Sequence, residues 1–207
     1  MAFSTFAELK AAVATWIKRS DLTAIIPDFI KLAEARINRE LRTRNMVTRS
    51  QNAAVDSEFV ALPADFGAAR SLRLAASPYT VLQQLTPEAM ADLVAQRPSG
   101  TLQAFSIVGG ELWFVPAPAT AVTVLLTYYA KVPALSDAAP SNWLLASHPD
   151  VYLWGALLEA TVYLEDEEQA STYQGRFAAA IEEIRANSVM DSLSARPSPV
   201  AGTGAVV

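Results

Sequence analysis

The sequence predicts an α+β protein in which helices from the two ends of the chain form one bundle and a small β-rich domain is inserted between them. Three observations carry this. Apolar residues recur at three- and four-residue spacing in the first and last quarters. Between them, short alternating runs are bounded by Pro, Gly and Asp. A final stretch of Ser, Ala, Pro, Gly and Val has almost no charge to solvate and no bulk to pack.

Taken in order, Thr5 and Glu8 make a capping box, and Phe6, Leu9, Val13, Trp16 and Ile17 follow at helical spacing, predicting a helix over 5–18. A second helix is predicted over 23–44, with Ile26, Ile30, Ala33, Ile37 and Leu41 on one stripe and Pro27 in the first turn, where its missing N–H costs nothing. From Met46 the period changes. Strands are predicted at 58–63, 71–74 and 81–85, and a short helix opening at Thr86-Pro87-Glu88 runs to Gln96. Phe105–Val108, Gly109-Gly110 and Glu111–Val115 read as a hairpin, since two glycines can both adopt the positive φ of a primed turn. Val122–Ala130 is the longest β-prone run.

The chain is organised around 142–160. Ser147 or His148 caps a helix there, Pro149 occupies its first turn and Asp150 complements its dipole. Gly155 inside this apolar run implies close approach of another backbone. The acidic Glu165–Glu168 starts a last helix whose stripe is Ala170, Tyr173, Phe177, Ile181 and Ile184. The predicted domains are 1–45 and 136–187 as the two halves of a four-helix bundle, 46–135 as the β-rich insertion and 188–207 as an extended tail. The predicted core includes Trp16, Phe29, Ile37, Trp143, Trp154, Leu157 and Phe177.

The residue types exclude most chemistry. Without cysteine there are no disulfides or thiolate sites, and with His148 as the sole histidine a transition-metal centre lacks ligands. No nucleophile elbow and no phosphate-binding glycine loop occurs. Glu165–Glu168 lacks the alternating oxygens and turn glycine of a calcium loop. Trp113-Phe114 and Tyr128-Tyr129 sit in alternating strands, where one of each pair faces the core. The expectation is a protein that is not an enzyme, with no cofactor, no metal and no membrane span.

Charge is uneven. Residues 1–50 hold nine Lys/Arg against five acids, a balance of +4; residues 51–207 hold seven against sixteen, a balance of −9. Arg36, Arg39, Arg42, Arg44 and Arg49 crowd the end of the second helix and its exit. Two readings are open: a solvated helix end whose cations complement the dipole, or a surface that meets nucleic acid or an acidic partner.

Several segments together resemble the head–tail adaptor (connector) proteins of tailed bacteriophages, of the short-tailed phage and gene-transfer-particle type. They are Ser20-Asp-Leu-Thr, Ile26-Pro-Asp-Phe-Ile, Ala33 to Leu41, Leu62-Pro-Ala-Asp-Phe66, Leu112 to Pro118, Tyr128-Tyr-Ala, Asn142-Trp-Leu-Leu and His148-Pro-Asp through Ala160. The resemblance implies a structural virion protein of the neck, assembled in the host cytoplasm, forming a dodecameric ring. Its implied partners are the portal protein, the tail tube or nozzle protein, further copies of itself, and double-stranded DNA passing through the channel. The five arginines then become candidate subunit or channel contacts, and Ser192, Leu193, Arg196, Pro197, Pro199 and Val200 candidate portal-docking residues. The competing reading is a DNA-binding or regulatory helical protein that grips phosphates with its Arg-rich second helix.

Overall fold

The computed structural model describes residues 3–19, 21–75, 80–96 and 99–194. In chain order the elements are α1 (Phe6–Ile17), α2 (Ile26–Glu40), β1 (Val47–Val55), β2 (Phe59–Ala61), β3 (Phe66–Leu74), β4 (Gln83–Gln84) and α3 (Pro87–Gln96). There follow β5 (Ser99–Gly100), β6 (Ala104–Val108), β7 (Glu111–Val115), β8 (Ala117–Pro118), β9 (Val122–Ala130), α4 (Trp143–Ser147), α5 (Pro149–Tyr163) and α6 (Glu167–Ser194). The fold is α+β, helices with an inserted β domain. One compact unit takes the chain up to Asn45 and again from Ala134 onward; the other is Met46–Pro133. The return to the first unit falls at 134, where the sequence reading has 136.

In the helical unit, α5 is the element on which α1, α2 and α6 all pack. Its buried residues (Val151, Tyr152, Leu153, Ala156, Leu157, Leu158, Ala160 and Thr161 among them) lie all round the helix. A helix apolar on every side is one enclosed by neighbours, not one with a single core-facing stripe as expected from its spacing. Gly155 explains how α2 and α6 come so near it. A Cβ there would lie 3.0 Å from the Ala33 Cβ and 3.2 Å from Cε2 of Phe177. The close approach is thus of side chains from two helices, and not of a second backbone.

The helix ends follow local chemistry. Thr5 caps α1 in a complete capping box: its hydroxyl accepts from the Glu8 N–H at 3.3 Å, and the Glu8 carboxylate accepts from the Thr5 N–H at 3.1 Å. These bonds and the Ser4 N–H, the largest influence, hold the Glu8 carboxyl below its ordinary pKa. The expected Ser147 cap is absent: Ser147 ends α4, and His148 sits at the N-cap of α5 without a side-chain capping bond, leaving Pro149 in the first turn. Asn142 caps α4 instead. Its Oδ1 accepts from the Leu145 N–H at 2.8 Å while its Nδ2 donates to the Tyr152 hydroxyl at 2.7 Å, so one buried amide joins α4 to α5. Asp166 caps α6 by accepting from the Gln169 N–H at 3.1 Å.

Several boundaries differ from expectation: α2 starts at Ile26 and not 23, β3 starts at Phe66 and not 71, and the ends of α2 and α6 move as well. α2 ends at Glu40, four residues before 44, because Leu41 turns extended. At the other end α6 runs on to Ser194, so residues 188–194, assigned to the extended tail from sequence, are helical. The Ser188 hydroxyl accepts from the Arg44 N–H at 2.9 Å, and the Arg185 guanidinium donates to the Glu40 carbonyl, so this part of α6 satisfies backbone groups where α2 ends. Of the expected core, Phe29, Ile37, Leu157 and Phe177 are buried. Trp143 and Trp154 are half-buried. Trp16 is 45% exposed and lies edge-on to Trp154 at 5.2 Å. An indole at the rim of α1 covers its neighbour on one side and meets water on the other, which spacing alone does not reveal.

In the β unit, β9 is the centre of an antiparallel sheet of order β1-β9-β3. A second sheet has the order β2-β7-β6-β4, with β4 parallel to β6, and β5 pairs with β8. Leu72, Leu74, Val124, Leu126 and Tyr128 from the first sheet and Phe105, Leu112 and Phe114 from the second form one core. On the opposite face of the β6–β7 hairpin, Ala104 and Val115 pack with Met90 of α3. The hairpin turns through Gly109 (φ 59°) and Gly110 (φ 89°), both in the region the expected primed turn requires. Strand β1 is absent from the sequence reading. It is an edge strand whose composition is largely polar, and it owes its conformation to pairing along β9.

Candidate functional site

The five arginines singled out by sequence do not form one surface. Arg36 faces α5: its Nε and Nη2 both donate to Oε1 of Glu159, at 2.9 and 2.7 Å, in a pair that is mostly shielded from water. Arg42 lies past the end of α2 and its Nη1 donates back to the carbonyls of Asn38 and Leu41, both at 2.6 Å. It terminates the helix, since those carbonyls have no intrahelical donor. Arg44 sits in a short 3-10 turn after α2, and Arg39 is exposed on the helix. Arg49 belongs to the β unit, on strand β1.

There Arg49 has companions that sequence reasoning missed. Register fixes which residues share a face, because directly paired residues in adjacent strands point the same way. Arg49 and Ser71 are both paired with Thr127, one from each side of β9; Arg73 is paired with Leu125. Alternation places Val124, Leu126 and Tyr128 in the core, so Leu125 and Thr127 face outward, and Arg49, Ser71 and Arg73 with them. Arg70 joins this face through a bulge: between Ala69 and Ser71 the register shifts, so two residues of β3 stand opposite one of β9.

The result is a groove of about 510 Å³ lined by Arg49, Arg70, Ser71, Arg73, Leu125 and Thr127. All three arginines are exposed and no acidic residue lines the groove. Among the described residues none of the three guanidiniums is in an ion pair or a hydrogen bond. The available signal was the alternation Ser71-Leu72-Arg73-Leu74, which marks Arg73 as outward; Arg70 depends on the bulge and had none.

Two titratable groups elsewhere serve the fold. Glu34 of α2 is 7% exposed, and its Oε1 accepts from the Leu135 N–H at 2.8 Å, fastening the returning chain to the helix. Burial pushes its pKa up, against the opposing effect of the Leu135 N–H. The Tyr128 phenol donates to Oδ1 of Asp65 at 2.9 Å, and burial first, then that bond, pushes it up to about 12. Among the described residues there is no group of three or more His, Cys, Asp or Glu that could hold a metal ion, and no helix long and apolar enough to cross a membrane. Ser192 and Leu193 lie in α6, whereas Arg196, Pro197, Pro199 and Val200 fall outside the described residues.

The class of protein is thus a helical unit interrupted by a β-rich insertion, with exposed basic and apolar side chains on its surface. Comparison with known families makes this specific. The SU10 adaptor protein family matches residues 4–202, nearly the whole chain, and the chain belongs to that family. It is a phage head–tail adaptor by family, from a group of virion structural proteins and not of enzymes. No curated protein matches the chain.

Proposed function

We propose that the protein forms a dodecameric ring that joins the portal to the tail of the virion and encloses the channel through which double-stranded DNA leaves. The observation that carries this is the family match, which spans both the helical unit and the insertion. The surface of the helical unit supports it. Leu32, Val162, Tyr163, Val189 and Met190 are each more than half exposed, and side chains of this size on a water-facing surface fit contacts with further copies or with a partner. A closed ring needs one patch on each subunit to meet a different patch on the next. Arg39 and Arg44, on the same unit, are proposed subunit contacts.

In this reading the residues beyond Ser194 dock on the portal, and the remaining partner is the tail tube or nozzle protein of a short-tailed phage or gene-transfer particle. Such a short segment binds through its repetition around the ring. The competing DNA-binding helix loses support, because Arg36 is committed to Glu159 and Arg42 to helix carbonyls.

The test is the native mass of the purified full chain, alone and mixed with the portal protein of the same genome. A portal complex carrying one copy of this chain per portal subunit is expected. A protein that stays monomeric and fails to associate at every salt concentration tried overturns the reading.

A further inference from the structure

We propose that the outer face of the β1-β9-β3 sheet, through Arg49, Arg70 and Arg73, binds the phosphodiester backbone of double-stranded DNA. The groove on this face combines three exposed guanidiniums with the hydroxyls of Ser71 and Thr127, and has no carboxylate of its own. Arginines with serine and threonine hydroxyls are the side chains that contact phosphate oxygens, the guanidinium fork offering two parallel donors to one phosphate.

Geometry favours a backbone over a single ion. Arg49 and Arg73 lie on the two strands flanking β9, and neighbouring strands are about 4.8 Å apart, so their main chains are separated by roughly 10 Å. Long side chains reaching from such positions span successive charges of a polyanion, which duplex DNA presents at about one per 1.7 Å of its axis. The bulge at Ala69/Ser71 adds the third arginine to the face without lengthening the strand.

The groove also lacks what a protein partner would use. Leu125 is its one large apolar side chain, and it is half-buried. Protein interfaces draw their affinity from buried aromatic and aliphatic anchors, whereas nucleic-acid contacts draw it from cations. The contact is therefore independent of base sequence and sensitive to salt, properties compatible with DNA that moves past the protein. Only the choice of DNA as the duplex present rests on the adaptor reading; the anion-binding face stands on the β unit alone.

The experiment is fluorescence anisotropy of a labelled 30-base-pair duplex titrated with the full-length protein between 50 and 200 mM salt. Three phosphate contacts per protomer give a log–log slope of about −2.7, so affinity falls roughly 40-fold across that range. The exposed triple variant R49E/R70E/R73E is expected to lose at least tenfold in affinity at 50 mM salt. The variant R49K/R70K/R73K is expected to keep the slope, since charge and not fork geometry sets it.

Absence of duplex binding by the wild type at 50 mM salt overturns the proposal, as does wild-type affinity in the glutamate variant. Equal affinity for poly-glutamate would assign the face to an acidic polypeptide instead. Native mass with the portal protein, measured on the same samples, separates the two ideas. If portal association persists without duplex binding, only the DNA contact fails.

Discussion

The Arg36 guanidinium is bonded through two nitrogens to a single carboxylate oxygen of Glu159, joining the C-terminal half of α2 to the C-terminal half of α5. The pair is 31% and 13% exposed, shielded enough to escape most of the screening that makes surface ion pairs nearly worthless. Either partner left alone would be a charge partly removed from water. Arg36→Ala and Glu159→Ala are each expected to cost about 1–3 kcal/mol in denaturant unfolding, and the double variant less than their sum. Strict additivity in that cycle would show that the pair contributes nothing.

Gly155 sets how closely the three helices meet. Alanine there gains about 1 kcal/mol of helix propensity but forces a methyl to 3.0 Å from Ala33 and 3.2 Å from Phe177. Overpacking of this kind costs about 1–3 kcal/mol, so Gly155→Ala is expected to be net destabilising. Ala33→Gly in the same chain removes one of the two collisions. A thermodynamic cycle should therefore return a favourable coupling between positions 155 and 33, and the absence of coupling would mean that the helices simply move apart.

Glu34 gives the stability a definite pH dependence. Its folded pKa is raised, so the folded state holds the proton more tightly than the unfolded chain. Linkage then requires this residue's contribution to be full below the ordinary value of 4.5 and to be lost as pH rises through the folded pKa. Glu34→Gln retains an oxygen for the Leu135 N–H and has no charge to desolvate. It is expected to be within about 1 kcal/mol of wild type or more stable at pH 7, with that slope gone from its stability profile. Glu34→Ala, which strands a buried N–H, is expected to cost about 1–3 kcal/mol. A wild-type pH slope in the glutamine variant would remove Glu34 from this role.

Two buried phenols carry the alkaline end. Tyr128 is raised to about 12, and Tyr152, enclosed by the helical unit, is raised further by burial, with its Asn142 bond opposing. Above pH 10 the unfolded chain releases protons that the folded chain retains, so stability should fall as pH rises through the folded values. Absorbance at 295 nm should show Tyr128 and Tyr152 ionising later than an ordinary phenol, and Tyr152→Phe should remove part of the late step. Loss of signal from the early step instead would place Tyr152 in water.

Most secondary structure could be read locally because local chemistry makes it. Thr5 and Glu8 satisfy each other's backbone donors whatever lies beyond, and Gly109-Gly110 permits the hairpin turn with no help from the core. The β1 strand was illegible for the opposite reason. Its residues have no strong preference, and β9 supplies the partner that makes them a strand. Site residues divide in the same way. A cluster of arginines is visible in a string of letters, but whether a given one is free is a question about a residue more than a hundred positions away, as Glu159 is from Arg36.

By itself, then, the sequence determined the fold class, the capped start of the first helix and the hairpin, features that depend largely on neighbours a few positions apart. Tertiary structure alone decided which cations are committed and which face outward. It withdrew Arg36 and Arg42 from the basic set and placed Arg49 beside Arg70 and Arg73. The physical reason is that a long side chain's partner, and the face a strand presents, are set by register and packing between segments distant in the chain.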